Sequence, residues 1–162
     1  MATIEYLADH PDFAATLAVW HFEQWGRAGS PGHLEGDSVE QRLRLLREAA
    51  NRRIIPTVFV ALLDSQAAGS ATLGASDLET RKDLTPWLKD VFVTPEFRRR
   101  GIASMLVRRA VQEAADIGVR EMYLFTTGSW REDLYAGLGW KVIDRPRYRD
   151  RERVLISIEP KS

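Results

Sequence analysis

Arg98, Arg99, Arg100 and Gly101 stand between an apolar run that stops at Pro95 and a run with helical periodicity. Cations are unwelcome at the start of a helix, where the first N–H groups are unpaired and carry partial positive charge. Each exposed arginine there costs about 0.3–1 kcal/mol. A bare arginine run would be read as a solvated surface cluster. A strand, a turn and then R-x-x-G-x-A opening an amphipathic helix is instead the architecture of a main-chain anion cradle. Gly101 lets the backbone approach a ligand closely, Ala103 keeps the turn bare, and the arginines add charge. A diphosphate would turn the misplaced charges into partners. Other chemistries lack their patterns: there is no G-x-x-x-x-G-K-[ST], no three-glycine dinucleotide turn and no G-x-S-x-G nucleophile elbow.

The elements that must position this turn follow from periodicity. Residues 2–6 alternate as a short strand. A helix is expected from Asp9, as N-cap, with Pro11 in its first turn and Phe13, Leu17 and Trp20 at helical spacing before Gly26. Residues 26–36 form a loop, and Asp37 with Glu40 resembles a capping box opening a second helix. Two β-rich runs, 56–64 and 67–76, flank a turn at Asp64–Gln66 and predict a hairpin. After a polar connector (77–86), residues 87–93 are a third long strand. From Arg98 the pattern is helical, with Ala103, Leu106, Ala110, Ala114 and Ile117 on one face up to Gly118. A strand, a short helix from Ser129 and two closing strands complete an α/β (α+β) domain of order β-α-α-β-β-β-α-β-α-β-β. This order predicts a mixed, mostly antiparallel sheet flanked by helices, one domain over residues 1–162.

Composition narrows the function. The 162 residues carry 23 basic and 23 acidic side chains, so no net charge marks a nucleic-acid or membrane partner. Residues 1–50 hold 8 acids against 4 arginines, net −4, and the remainder is net +4. With no cysteine, disulfides, a thiol nucleophile and thiolate zinc sites are excluded, which fits a reducing cytoplasm. His10, His21 and His33 lack metal-ligand spacing, so no metal is expected. No apolar stretch approaches a membrane span and the N-terminus shows no signal-peptide pattern, so a soluble cytoplasmic protein is expected.

The stretch "VFVTPEFRRRGIASMLVRRA" resembles the acetyl-CoA-binding segment of the GNAT acetyltransferases, whose signature [QR]-x-x-G-x-[GA] is met by Arg98, Gly101 and Ala103. "DLYAGLGWKVIDR" resembles the family's downstream Y-x-x-x-G-[FW] segment, and the element order agrees along nearly the whole chain. The resemblance implies an acetyl-CoA-dependent N-acetyltransferase working by direct transfer in a ternary complex. It implies a pyrophosphate site at Arg98, Arg99, Arg100, Gly101, Ile102 and Ala103, and pantetheine pairing along Val91, Phe92 and Val93. An oxyanion donor is implied at the N–H of Phe92 or Val93. Tyr135 matches the tyrosine that protonates the leaving thiolate, a fit of a hydroxyl of pKa ~10 to a thiol of ~8.5. On the segment alone Tyr135 would be a core aromatic.

Two positions depart from the family pattern. Gly128 stands where an asparagine is common, and the strand before the turn offers no evident base. Alternation counted back from Val93 puts Trp87 and Lys89 on the cofactor side and turns Asp90 away. Asp77, Glu79 and Asp83 lie in the connector that the resemblance sets beside the acceptor, with Glu79, acting through a water, the first choice of base. The resemblance sets the first two helices and their loop around the acceptor, and the acidic residues 1–50, with Trp20, Trp25 and Trp87 for cation–π contact, suit a cationic amine: polyamines, aminoglycosides and protein N-termini are all open, a small molecule before a protein. A homodimer is compatible with the family's habits. Two other readings stand beside this one: a GNAT-like module that binds acyl-CoA without transfer, and a nucleic-acid binder using the basic clusters at 98–100, 108–109 and 145–153. Acids interrupt the last cluster, which also reads as a turn between the closing strands.

Overall fold

The computed structural model describes residues 1–30, 32–126 and 129–161, residues 129–132 by main chain only. Its strands are β1 (Thr3–Tyr6), β2 (Thr57–Leu63), β3 (Gln66–Gly74), β4 (Trp87–Val93), β5 (Met122–Thr126), β6 (Lys141–Asp144), β7 (Arg147–Tyr148), β8 (Arg151–Glu152) and β9 (Val154–Ile158). The helices are α1 (Ala14–Trp25), α2 (Val39–Glu48), α3 (Ile102–Asp116) and α4 (Ser129–Gly137). Seven strands form one sheet in the order β1-β2-β3-β4-β5-β9-β6, and β7 pairs β8 separately. All pairings are antiparallel except β4 with β5. The predicted class and order are therefore those observed, with β7–β8 added where a turn was read.

Alternation along β2 shows how the sheet separates two cores. Val58, Val60 and Leu62 pack with Leu17, Ala18 and Leu46 beneath α1 and α2. Phe59 and Ala61 face Leu106, Val107 and Ala110 of α3. Burying each such Leu, Ile or Val contributes about 1.5–3 kcal/mol, so the apolar stripe of α3 fixes it on the sheet. The two-residue turn at Asp64 and Ser65, both at positive φ (49° and 66°), joins β2 to β3 in the geometry a tight hairpin requires.

Helix starts depart from expectation. Two 3-10 turns, Leu7–Asp9 and Pro11–Phe13, precede α1, which begins at Ala14. Asp9 does not cap it; its carboxylate pairs with the Arg52 guanidinium instead. The N-cap of α2 is Ser38, whose Oγ accepts from the Gln41 N–H at 3.0 Å. Asp37 is drawn away by Arg42, which donates from Nε at 2.9 Å and from a terminal nitrogen at 2.6 Å. The Asp37–Arg42 pair, together with Arg42 on the Gly32 carbonyl, holds the loop between α1 and α2. From the opposite side Arg149 donates to the Ser30 and His33 carbonyls of that loop. α3 starts at Ile102, four residues after Arg98, because Gly101 caps it in the left-handed region at φ 78°.

Candidate functional site

The site grows from an irregularity in β4. Ser70 of β3 pairs with Phe92 and Thr72 with Lys89, so one residue of β3 opposes the two residues Asp90 and Val91. Asp90 takes φ 53°, the left-handed conformation that an aspartate tolerates better than most residues. This bulge reverses the alternation. Leu88, Val91 and Val93 all belong to the α3 side of the sheet, whereas Trp87 packs on the other face with Leu78, Tyr148 and Leu155. Trp87 therefore does not share the face of Val93 that uninterrupted alternation gives it. Trp87 is fully buried and donates its indole N–H to the Leu84 carbonyl at 2.7 Å.

The same strand leaves an edge open. β4 and β5 share one bridge, Trp87 with Tyr123, and no further register among the described residues. Thr94 donates its N–H to Ala68 of β3 at 2.9 Å, so by ladder alternation Phe92 also faces β3. Val91 and Val93 then direct their main-chain groups to the open edge. Arg98 marks it, its Nε donating to the Val93 carbonyl at 2.8 Å.

Two cavities flank this edge. One, of about 600 Å³, is walled by Val91, Phe92 and Val93, by the turn through Arg98, Arg99, Gly101, Ile102, Ala103 and Ser104, and by Leu134 and Tyr135 of α4. No side chain caps Gly101, and a Cβ built on it would meet open space. The first intrahelical acceptor, the Gly101 carbonyl, is taken by Met105, which leaves the N–H groups of the first turn turned to this cavity. Arg100 does not line it; its guanidinium stacks over Phe97 at 5.5 Å. The second cavity, of about 430 Å³, lies between β4, β5, the α1–α2 loop and β8–β9. Gln24, Val91 and Tyr135 line both.

Charge is concentrated in the second cavity. Asp77 and Asp90 both line it. Burial, then the negative charge of Asp90, pushes the Asp77 carboxyl up to about 7, with Lys89 opposing. The Lys89 ammonium donates to the Ser76 carbonyl at 3.0 Å. Arg151 and Arg153 line another part of the same cavity.

A cradle of free N–H groups, an open strand edge and an adjoining acid-lined cavity form one arrangement. A family model for the acetyltransferase (GNAT) domain matches residues 55–142, more than half the chain. The chain belongs to the GNAT acetyltransferase family.

Solved structures agree on the fold. The chain is similar to a GNAT-family acetyltransferase from Streptococcus pneumoniae, at 18% identity and TM-score 0.73, covering 99% of this chain and 100% of that one. It is similar to yncA from Salmonella typhimurium, solved with acetyl-CoA as its cofactor, at 19% identity and TM-score 0.76, covering 99% and 94%. The ribosomal-protein-alanine N-acetyltransferase from Brucella melitensis gives 19% identity and TM-score 0.72, covering 97% and 99%. No functionally curated protein matches the chain.

Within this GNAT fold the sequence-derived residues distribute as follows. Val91, Phe92, Val93, Arg98, Arg99, Gly101, Ile102, Ala103 and Tyr135 come together around the larger cavity, and Arg100 sits beside it. Tyr135 is buried, edge-on to Trp140 at 5.8 Å between ring centroids. Glu79 is exposed on a 3-10 turn and lines neither cavity, and Asp83 pairs with Arg81 at 3.1 Å. Asp77, two residues away, does reach the site. Trp25 lines the smaller cavity, while Trp20 lies tilted against Phe92, with 5.6 Å between ring centroids. Gly128 lies outside the described residues. Among the described residues no group of three or more His, Asp or Glu could hold a metal, and no helix is long and apolar enough to cross a membrane. His21 is buried, with Nε2 at 2.9 Å from Ser70 Oγ, and burial pushes its pKa down, against the pull of Asp90. Sequence reasoning missed Asp90, because alternation fails at a bulge, and missed Arg153, which read as part of a turn.

Proposed function

We propose that residues 1–162 form one acetyltransferase domain that moves an acetyl group from acetyl-CoA to a primary amine on a small molecule. The observation that carries this is the meeting of the two cavities at Gln24, Val91 and Tyr135, beside the open edge of β4. The larger cavity suits the donor: N–H groups of the first turn of α3, with Arg98 and Arg99, would hold a pyrophosphate, and the main chain of Val91 and Val93 would pair with a pantetheine amide. Acetyl-CoA, when bound, supplies a thioester acetyl carbon that the amine attacks, so that an N–C bond forms and a C–S bond breaks.

The chain's own groups serve each end of that exchange. The Val91 N–H is the donor best placed for the developing oxyanion, since it faces the open edge and Val91 lines both cavities. Phe92 faces β3 and is unsuited to that role. Tyr135 gives its hydroxyl proton to the departing sulfur. Asp77 accepts the ammonium proton, directly or through water. A carboxyl near 7 is matched far better to an amine of pKa ~10 than an ordinary aspartate is. Asp77 thus replaces Glu79 as base. Donor and acceptor held side by side favour direct transfer over a covalent enzyme intermediate.

Calorimetry with acetyl-CoA tests the reading. Micromolar binding is expected in the wild type and in Tyr135→Phe, and its loss in Gly101→Glu, which sets a carboxylate and a strained φ at the cradle. Tyr135→Phe should retain affinity while thiol release falls about a hundredfold. No binding heat, or heat unaffected by Gly101→Glu, would overturn the proposal.

A further inference from the structure

Arg153 is 2% exposed, and among the described residues no carboxylate lies within ion-pair distance of it. Its Nε donates to the Tyr148 carbonyl at 3.1 Å, and among the described residues no other hydrogen bond or ion pair meets its side chain. Burial, then the neighbouring charge of Arg151, holds its pKa below the usual arginine range, with Tyr148 opposing and Arg149 adding least. The Arg153 terminal nitrogens are not among the sealed, unpartnered polar atoms, so they keep contact with solvent, and a guanidinium so largely covered yet without an anion is costly to keep. It lines the smaller cavity together with Arg151.

The other pole of that cavity is Asp77 and Asp90, with Lys89 beside them but its ammonium engaged by the Ser76 carbonyl. Neither carboxylate pairs with Arg153, and neither is among the charges that act on it. The cavity is therefore bipolar, with carboxylates beside the acetyl-transfer edge and two arginines away from it. A purely cationic acceptor such as a polyamine would satisfy the first pole and leave Arg153 without an anion. A ligand with both charges satisfies both.

We infer that the acceptor is a small aminocarboxylate, its amine presented to Asp77 and its carboxylate held by Arg153 with Arg151 at the rim. The inference rests on the acetyltransferase reading for the fate of the amine, but not for the anion contact. Arg153 offers its two terminal nitrogens, the geometry that holds a carboxylate through two parallel hydrogen bonds. Arg153 is a specificity-determining residue on this view and touches no reacting atom.

The test uses the full chain and the twenty L-α-amino acids, each beside its own α-amide, measured for equilibrium binding in the presence of CoA and for acetyl-CoA-dependent thiol release. At least one amino acid is expected to exceed its amide by tenfold to a hundredfold in Kd and kcat/KM. Arg153→Gln should erase that gap through KM, leaving kcat and the amide within about threefold, and Arg153→Lys should restore part of it. Acid and amide treated alike, no amino acid bound, or an equal loss on both in Arg153→Gln would overturn the inference. If neither variant folds, the wild-type contrast of acid with amide decides. Amines acetylated without regard to a carboxylate would sink this inference and leave the acetyltransferase standing. Absent acetyl-CoA binding sinks the latter, while the amino-acid titration still judges the cavity.

Discussion

Replacing Asp77 with asparagine should make the protein more stable and less active, and both effects should grow as pH rises. Folding carries the Asp77 carboxyl from an ordinary 3.8 to about 7, chiefly by burial and then by the Asp90 charge. Below pH 4 the group is protonated folded and unfolded, and it costs nothing. Between pH 4 and 7 the unfolded chain has released the proton while the folded one keeps it, so stability falls as pH rises; above 7 the full cost is present. Three pKa units correspond to about 4 kcal/mol, and solvent reaching a partly exposed carboxyl reduces this to about 2–4 kcal/mol. Asparagine carries no such charge. Urea unfolding at pH 5 and pH 8 should show Asp77→Asn more stable than wild type by most of that amount at pH 8 and by much less at pH 5. Acetyl transfer by the wild type should rise with pH through about 7, and the variant should lose at least a hundredfold and that inflection. A variant equally stable at both pH values, or one that keeps the inflection, would refute the assignment.

Two further outcomes concern the frame of the site. Arg42→Ala leaves the Asp37 carboxylate buried without its partner, so a loss of about 3–5 kcal/mol is expected in chemical unfolding. Burial alone would raise the Asp37 pKa, but the Arg42 hydrogen bonds, the Leu34 N–H and nearby charges lower it overall. Its contribution is therefore present above pH 4 and fades as pH falls through its lowered folded value, an acid-limb dependence that Arg42→Ala should abolish. Glu113→Ala removes a fully buried carboxylate that accepts from Tyr6 Oη at 2.8 Å and the Arg53 N–H at 2.9 Å and pairs with Arg109 at 3.1 Å. Its loss should cost about 3–5 kcal/mol, seen as a fall in Tm; a shift under 1 kcal/mol would show that α3 is not tied to β1 through this group.

The regular part of the fold was legible because its signals are local. β4 occupies the predicted residues 87–93, α3 shows its apolar stripe, and the cradle is contiguous in sequence at 98–103. Caps were misread by a residue or more wherever an arginine competed for the carboxylate: Arg52, 43 residues on, takes Asp9, and Arg42 within α2 takes Asp37. Both carboxylates are sound N-cap types by propensity, and each gains more from a charge-assisted hydrogen bond. The bulge was invisible for another reason. Period-2 counting assumes uninterrupted pairing, and nothing in "WLKDVFV" signals that β3 contributes one residue fewer between Thr72 and Ser70.

The acceptor inferred above differs from the one that segment charge suggests, and the reason is charge itself. Counting acids along the chain set the negative pole in residues 1–50, but several of those acids are already engaged: Glu5 with His10 at 2.7 Å, Asp9 with Arg52, and Asp37 with Arg42. An engaged carboxylate attracts a ligand weakly, because its field is largely cancelled at a distance. The carboxylates that face the cavity, Asp77 and Asp90, come from the net-basic remainder of the chain, and so does Arg153, which has no anion within ion-pair distance among the described residues. Net charge by segment cannot find such a site, since what matters is which charges the fold leaves uncompensated. The bulge decides this on one side by turning Asp90 into the cavity, and the β7–β8 hairpin decides it on the other by leading into Arg153. Each is a local departure from regular pairing, and together they make a cavity whose two poles a zwitterion satisfies and a simple cation does not.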